Sequence, residues 1–371
     1  MNFNFSSEQL AFRDEVREFL QDYRDLDGFY GQGHRWPEVR ALFSAMAERN
    51  WLALNWPTEH GGLGLGHVHE YILWNEVARY RAARNPLAAG IVAKSIMRYG
   101  TPWQQATYLP PIRRGEIHFS LCYSEPEAGS DLAGLRLQAE RDGEHYRING
   151  QKCWQSYAQD MDYLWVLART GTQESRGRGL SLFIVDKASA GVRVSPIPTV
   201  DGDQLNEVFF DSVVVPQSQR VGEENSAWSI IGEALADERH IQFPPGRVRR
   251  DLEDMLQWLN AQQMGNDPIV RARMAELAVR VRETEMLGLK VLESMINGSN
   301  ATVDAAMNKI LHTVTCQALA RAVLDLGGPE ALVCGYQPER LWRQSLTETI
   351  GGGTSEIMRS VIARQRLNLE G

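Results

Sequence analysis

Three stretches of this chain carry side chains whose types and spacing could do chemistry. The first is LCYSEPEAGSDLAGL, Leu121 to Leu135. Pro126 and Gly129 make it a shaped loop, and the hydroxyls of Ser124 and Ser130 with the N–H groups near Gly129 suit a polar cofactor. A turn whose Ser and Asp side chains bond their own backbone accounts for the same residues. The second is INGQKCWQSYA, Ile148 to Ala158. Asn149-Gly150 reads as a turn and Trp154 as part of a strand. Ser156, two residues on, shares a strand face with Trp154. An indole and a hydroxyl on one face suit a flat ring with polar edges, whereas a core position for Trp154 is the ordinary alternative. The third is TIGGGTSEIMR, Thr349 to Arg359. Three glycines opening onto a helix expose N–H groups that suit an anion. A helix start capped by Thr354 or Ser355 is the simpler account.

The elements that must position these stretches fall into three zones. Residues 1–117 read as helical. Ser6 or Ser7 caps a segment in which Phe12, Val16, Phe19 and Leu20 recur at helical spacing. Trp36-Pro37 opens a second helix, Pro57 to Gly66 is a glycine-rich loop, and Val68 to Tyr80 and Leu87 to Tyr99 are again helical. Residues 118–216 change period. Short runs such as YLWVLART and GLSLFIVD, with a turn at Asp142-Gly143, predict an antiparallel sheet or small barrel. Residues 217–371 return to helix, including a long one opened by Pro268, where a missing N–H costs nothing.

Composition bounds the function. The chain has 371 residues, 43% hydrophobic and 23% charged, as in ordinary globular proteins. Its formal net charge of −8 and lack of a basic run argue against a nucleic-acid binder. No apolar stretch reaches the roughly 18 residues of a membrane span, and the N-terminus lacks the pattern of a signal peptide. Four cysteines far apart in sequence suit a reducing, cytoplasmic setting and offer no metal spacing. His60, His67 and His69 cluster in a loop without cysteine support. That pattern reads as loop surface, with no metal expected.

Taken together, SEPEAGSD, NGQKCWQS and GGTSEIMRSVIARQ, with RGLSLFIVD and VGEENSAW between them, resemble the acyl-CoA dehydrogenase family of flavoproteins over nearly the whole chain. Glu127 stands where that family commonly has glycine. The resemblance implies an α+β fold with an N-terminal helical domain, a middle antiparallel β-barrel or sandwich domain and a C-terminal four-helix bundle. It implies FAD as cofactor. Tyr123, Ser124, Gly129 and Ser130 would lie along the flavin, Trp154 near its ring system and Ser156 at the ring's N5 edge. Thr354 and Glu356 would hold the adenine half. Ser130, Arg239 and Gly353 would face the substrate, an acyl-CoA or other acyl thioester, and an electron-transfer flavoprotein would take the electrons.

The reaction so implied removes an α C–H proton beside a thioester, and a carboxylate in a dry pocket is a better base than one in water. Many family members carry that glutamate where this chain has Gly352. Others place it in an early bundle helix, in a Glu-Arg pair, and this chain has Asp237-Glu238-Arg239 there. Glu238 is therefore the expected catalytic base. Without the resemblance, these three residues read as solvated charges on a helix end.

Three departures stand out. Phe243-Pro244-Pro245-Gly246 interrupts a helix that usually continues. The family's Arg-x-x-Phe-Gly segment is not visible near Gln262 to Arg273, and Leu324 replaces the usual Gln ahead of Gly327-Gly328. These losses resemble bacterial members acting on bulky or steroid-side-chain acyl groups. They imply either a homo-oligomer or a mixed tetramer with a paralogous subunit. The alternatives are a non-catalytic binding subunit of such an assembly and an oxygen-using oxidase or monooxygenase of the same fold.

Overall fold

The computed structural model describes residues 4–26 and 35–369. Helix α1 (Ser7–Phe19) starts at Ser6, whose hydroxyl accepts from the Gln9 N–H while the Gln9 side chain accepts from the Ser6 N–H. This reciprocal cap satisfies two N–H groups that the first turn leaves open. Next come α2 (Trp36–Glu48) and α3 (His67–Arg79). The segment expected as one helix from Leu87 begins as a π-helical turn, Ala88–Val92, and continues as α4 (Ala93–Tyr99). Helix α5 (Pro102–Arg113) carries Pro110 and Pro111 in its interior, which hid it from a reading by helix breakers.

The middle zone is one sheet of eight strands. These are β1 (Phe119–Cys122), β2 (Gln138–Asp142), β3 (His145–Ser156), β4 (Tyr163–Arg169), β5 (Leu180–Asp186), β6 (Val192–Pro198), β7 (Gln204–Pro216) and β8 (Arg220–Val221). Their order is β6-β7-β3-β2-β4-β5-β8, with β1 alongside β4. Most ladders are antiparallel, as expected. The β1–β4 ladder and the single β2–β4 pair are parallel, so the sheet is mixed. The hairpin turn is also displaced by one residue. Asp142 pairs with His145, leaving Gly143 and Glu144 as its tip.

Strand β4 explains how the sheet joins the helices. Trp165 and Leu167 point into a core shared with α2, α3, α4 and the helix Ala227–Asp237, whereas Leu164, Val166 and Ala168 point into a second core within the sheet domain. A period of two on a strand buried on both faces puts alternate side chains into different cores.

The last zone contains α6 (Ala227–Asp237), α7 (Pro245–Ala261), α8 (Pro268–Ile296), α9 (Thr302–Ala331), α10 (Gln337–Glu348) and α11 (Ser355–Arg366). The core among α7 to α10 is separate and includes Val248, Met274, Leu319 and Leu341. Asp267 caps α8 through the N–H groups of Ile269 and Val270. The proline pair separates α6 from α7. Gly246 there donates to Asn75 Oδ1 at 2.8 Å, and a Cβ on it would collide with the Asn75 carbonyl. That contact seats the broken helix against α3. Among the described residues no helix is long and apolar enough to cross a membrane.

Candidate active site

Glu238 is the C-cap of α6, at the break before α7. It is only 7% exposed, and its Oε1 has no hydrogen-bond partner. Burial lifts its carboxyl from the ordinary 4.5 to about 7. Lys94 pulls it down, and Glu70 pushes it up. Gly90 in the π-helical turn adjoins the carboxylate, and any Cβ there would overlap Glu238 Oε1. Glu238 lines a cavity of about 1000 Å³, counting its open mouth, with walls from α3, residues 83–91, the α6–α7 break, His312 within α9 and the end of α10.

Behind the base lies a buried charge cluster. Lys94 Nζ donates to Glu70 Oε1 at 3.0 Å, Asn55 donates to Glu70 Oε2 at 2.5 Å, and His240 Nε2 lies 2.8 Å from the same oxygen. Burial by itself would raise Glu70, but Lys94, His240 and His67 together hold it well below the usual carboxylate range. Lys94 is held above its ordinary value by Glu70 and Glu238 despite its own burial.

This cluster corrects the loop-surface reading of the histidines. His67 and His69 belong to α3, and only His60 sits in the loop turn. The ligand atoms of His67, Glu70 and His240 lie within 4.8 Å of one another, an arrangement that could hold a metal. The Lys94 ammonium on the same carboxylate already supplies the positive charge that a cation would bring.

The loop Leu121 to Leu135 and strand β3 come together. The Cys153 N–H and the Gln155 amide donate to the Ser124 carbonyl at 2.9 and 3.2 Å, and Lys152 Nζ donates to the Tyr123 carbonyl at 2.8 Å. Two residues of these motifs that were not singled out in sequence organise them. Glu125, buried, accepts from the N–H groups of Arg136 and Leu137 and pairs with fully buried Lys152 at 2.8 Å. Neither stood out in sequence, because Glu127 and Asp131 share the first motif and Asn149, Gln151 and Gln155 the second.

Trp154 is 54% exposed, so the core alternative does not hold. It sits at φ 72 in a bulge between Lys152 and Gln155, opposite β7. Such bulges turn a side chain out of the regular pleat. Ser156 is half-buried, and its carbonyl accepts from Ser120 Oγ at 2.7 Å. Gly129 and Ser130 are exposed on the loop.

The triple-glycine turn is a separate element. Thr354 caps α11, accepting from the Ile357 N–H at 3.2 Å, while Glu356 is exposed beside Arg359. Gly352 and Gly353 have φ of 68° and 92°, conformations that favour glycine. Buried Lys309 fastens the turn through the carbonyls of Gly351 and Gly353. The turn meets the region of the base. A Cβ at Gly352 would stand 3.0 Å from Gln242 Nε2, and Gln242 lines the same cavity as Glu238. Arg239 is half-buried and is not among the residues lining that cavity.

Comparison with known proteins matches this architecture to one enzyme class. Residues 6–116, 120–213 and 225–367 match the models of the acyl-CoA dehydrogenase N-terminal, middle and C-terminal domains. The chain is 32% identical to acyl-CoA dehydrogenase FadE26 of Mycobacterium tuberculosis, over all of this chain and 99% of that one. Among solved structures it is similar to the Tcur3481-Tcur3483 steroid ACAD (TM-score 0.91) and to the ChsE4-ChsE5 complex from Mycobacterium tuberculosis (TM-score 0.89). Each is 30% identical with full coverage of both chains. The chain belongs to the acyl-CoA dehydrogenase family, whose members bind FAD. It is an acyl-CoA dehydrogenase, an oxidoreductase acting on CH–CH groups.

Proposed function

We propose that this chain desaturates the α,β bond of an acyl thioester, with Glu238 removing the α proton. The observation that carries this reading is Glu238 Oε1, buried, unpartnered and on the wall of a cavity. An unpartnered carboxylate oxygen keeps a lone pair for the proton it must accept. Burial raises its affinity for that proton without protonating it above pH 7. Gly90 leaves room for the carboxylate, and the charge of Lys94 favours its ionised form.

The residues present fit FAD. The indole of Trp154 is exposed, as a side chain that meets a ring must be, and the buried Ser355 hydroxyl at the start of α11 lacks a partner. Tyr123, Ser124, Gly129, Ser130, Trp154 and Ser156 would hold the ring half, and Thr354 and Glu356 the adenine half. When bound, FAD supplies the hydride acceptor for the β hydrogen, and an electron-transfer flavoprotein takes the electrons onward. Ser130, Arg239 and Gly353 would contact the thioester. Glu238→Gln tests the reading. It should retain FAD and lose most turnover of acyl-CoAs that the parent oxidises, and near-normal turnover would remove Glu238 from the base role.

A second reading concerns assembly. Leu324 and the stretch Gln262 to Arg273 lack the side chains with which the family reaches FAD across subunits. A paralogous partner in a mixed tetramer would supply them, and a similar solved structure is a complex of two named chains. Expression of the chain alone decides this, because a homotetramer with one flavin per subunit removes the need for a partner. Anaerobic substrate reduction followed by the rate of reoxidation in air separates dehydrogenation from an oxygen-using variant.

A further inference from the structure

Glu238 must pass on the proton it takes before it can act again, and an acyl group bound in its cavity keeps bulk water from it. A second, smaller space lies against the base. It measures about 230 Å³ including open space, and Asn55, Glu70, Asn85 and Gly90 are in its wall. Gly90 adjoins the Glu238 carboxylate, and Asn85 lines both cavities. The base therefore stands between the two. A buried water is held by about two to four polar groups, and the side chains of Asn55, Glu70 and Asn85 offer them beside Glu238.

Glu70 leads outward. Its Oε1 accepts from Lys94 at 3.0 Å. Its Oε2 accepts from Asn55, with His240 Nε2 at 2.8 Å and His67 Nδ1 at 3.9 Å. Although burial opposes its charge, Lys94 and the two histidines keep Glu70 ionised, so it hands a proton on rather than keeping it.

The two histidines differ in what they reach. The His240 side chain is fully buried, so a proton placed on it stays inside the protein. His67 is the first residue of α3, and its side chain is 38% exposed. Its Nδ1 is nevertheless buried and without a hydrogen-bond partner, on the Glu70 side of the ring. An unpaired buried nitrogen costs stability and gives a purely structural histidine nothing. It suits a proton carrier, because an imidazole takes a proton on one nitrogen and releases one from the other.

We infer that the proton taken by Glu238 leaves by this route, through water in the small cavity to Glu70, then to His67 Nδ1, and from His67 Nε2 to the solvent. The inference rests on the dehydrogenase reading above. Each step moves one proton and no electrons. The α C–H bond breaks to form the Glu238 O–H, and its electron pair stays on the substrate. That O–H gives its proton to water as water gives one to Glu70. Glu70 gives one to His67 Nδ1 as Nε2 loses its own. A turn of the partly exposed ring closes the 3.9 Å gap, and exchange with solvent restores the first tautomer.

The test uses the FAD-loaded holoenzyme in D2O with 3-thiaoctanoyl-CoA, 3-thiadodecanoyl-CoA and (cyclohexylthio)acetyl-CoA. Sulfur in place of the β carbon allows α deprotonation without oxidation. EDTA is present, so that no cation at His67, Glu70 and His240 contributes. Two quantities are read. The long-wavelength absorbance of the ionised ligand beside the flavin reports removal of the α proton. Deuterium at the α carbon, by mass spectrometry, reports exchange of that proton with solvent while the ligand stays bound. The parent should show both. In His67→Leu the absorbance should form within about twofold of the parent rate while deuterium uptake falls about tenfold or more, and 4-methylimidazole in the buffer should restore part of the uptake. His67→Gln, the second variant, should behave alike. Uptake within about twofold of the parent in both variants overturns the relay. So does an equal fall in both quantities, which makes His67 structural. Absorbance without deuterium uptake in the parent also overturns it and leaves the dehydrogenase reading standing. Neither signal in the parent with any of the three probes overturns both.

Discussion

Gly90 and the carboxylate of Glu238 occupy adjoining space, so that no side chain larger than hydrogen at position 90 is compatible with the observed place of Glu238 Oε1. The π-helical turn Ala88–Val92 brings that glycine to the end of α6. A widened turn of this kind often marks a functional position in a helix. Gly90→Ala should therefore displace the carboxylate while leaving the sheet and FAD-binding residues untouched. Misplacement on the scale of 1 Å can cost on the order of a hundredfold in rate. The expected result is a fall in kcat of tenfold or more with the flavin content unchanged. A variant turning over within twofold of the parent would show that this contact does not place the base.

Glu238 also links activity and stability to pH. Its folded value of about 7 lies above its ordinary 4.5. Activity that needs the carboxylate should rise with pH through about 7 in kcat/KM. Stability runs the other way. The folded state holds the proton more tightly, so this group's contribution is fullest below pH 4.5 and is lost as pH rises through 7. Glu238→Gln removes that cost. At pH 8 it should be more stable than the parent by about 3–4 kcal/mol at most, with little difference at pH 4.5. Denaturant midpoints at the two pH values check the sign.

Lys94 works against the burial of Glu238. It pulls the carboxyl down, while Glu70 pushes it up and Asp237 adds a smaller upward push. Lys94→Met removes the larger electrostatic influence, and Glu70 keeps His240 and His67 as neighbours. The acid limb of the kcat/KM profile should move to higher pH, and Lys94→Arg should move it back in part. Breaking one partner from a buried pair also costs about 3–5 kcal/mol. A variant destabilised to that degree with an unmoved pH profile would assign Lys94 to structure alone.

Lys152 and Glu125 tie the hallmark loop to β3. Lys152 is fully buried, and burial pulls its ammonium below its ordinary value even with Glu125 alongside. Lys152→Met leaves the Glu125 carboxylate buried with only two N–H donors. The expected outcome is a loss of about 3 kcal/mol or more in stability together with weaker flavin retention. Flavin released per subunit on gel filtration, read beside a denaturant curve, checks both.

Much of the scaffold was legible because it rests on local signals. The capped start at Ser6, the proline at the head of α8 and the change of period near residue 118 each depend on neighbours within a turn or a strand. Where local signals mislead, the elements were missed or displaced. Helix α5 runs through Pro110 and Pro111, and the hairpin tip moved to Gly143-Glu144. The candidate base stood out in sequence only through a family pattern, since Asp237-Glu238-Arg239 alone reads as an ordinary charged helix end.

The order of helix, sheet and helix, the polar motifs and the break at Pro244-Pro245 were set by residue types and their spacing alone. Which groups surround Glu238 was decided only by the tertiary structure. Gly90, Lys94 and Glu70 lie more than a hundred residues before it, and His312 more than seventy after. Periodicity reports which face of an element is apolar. It carries no information about which distant face will be packed against it, and burial, pKa and cavity shape arise from that packing.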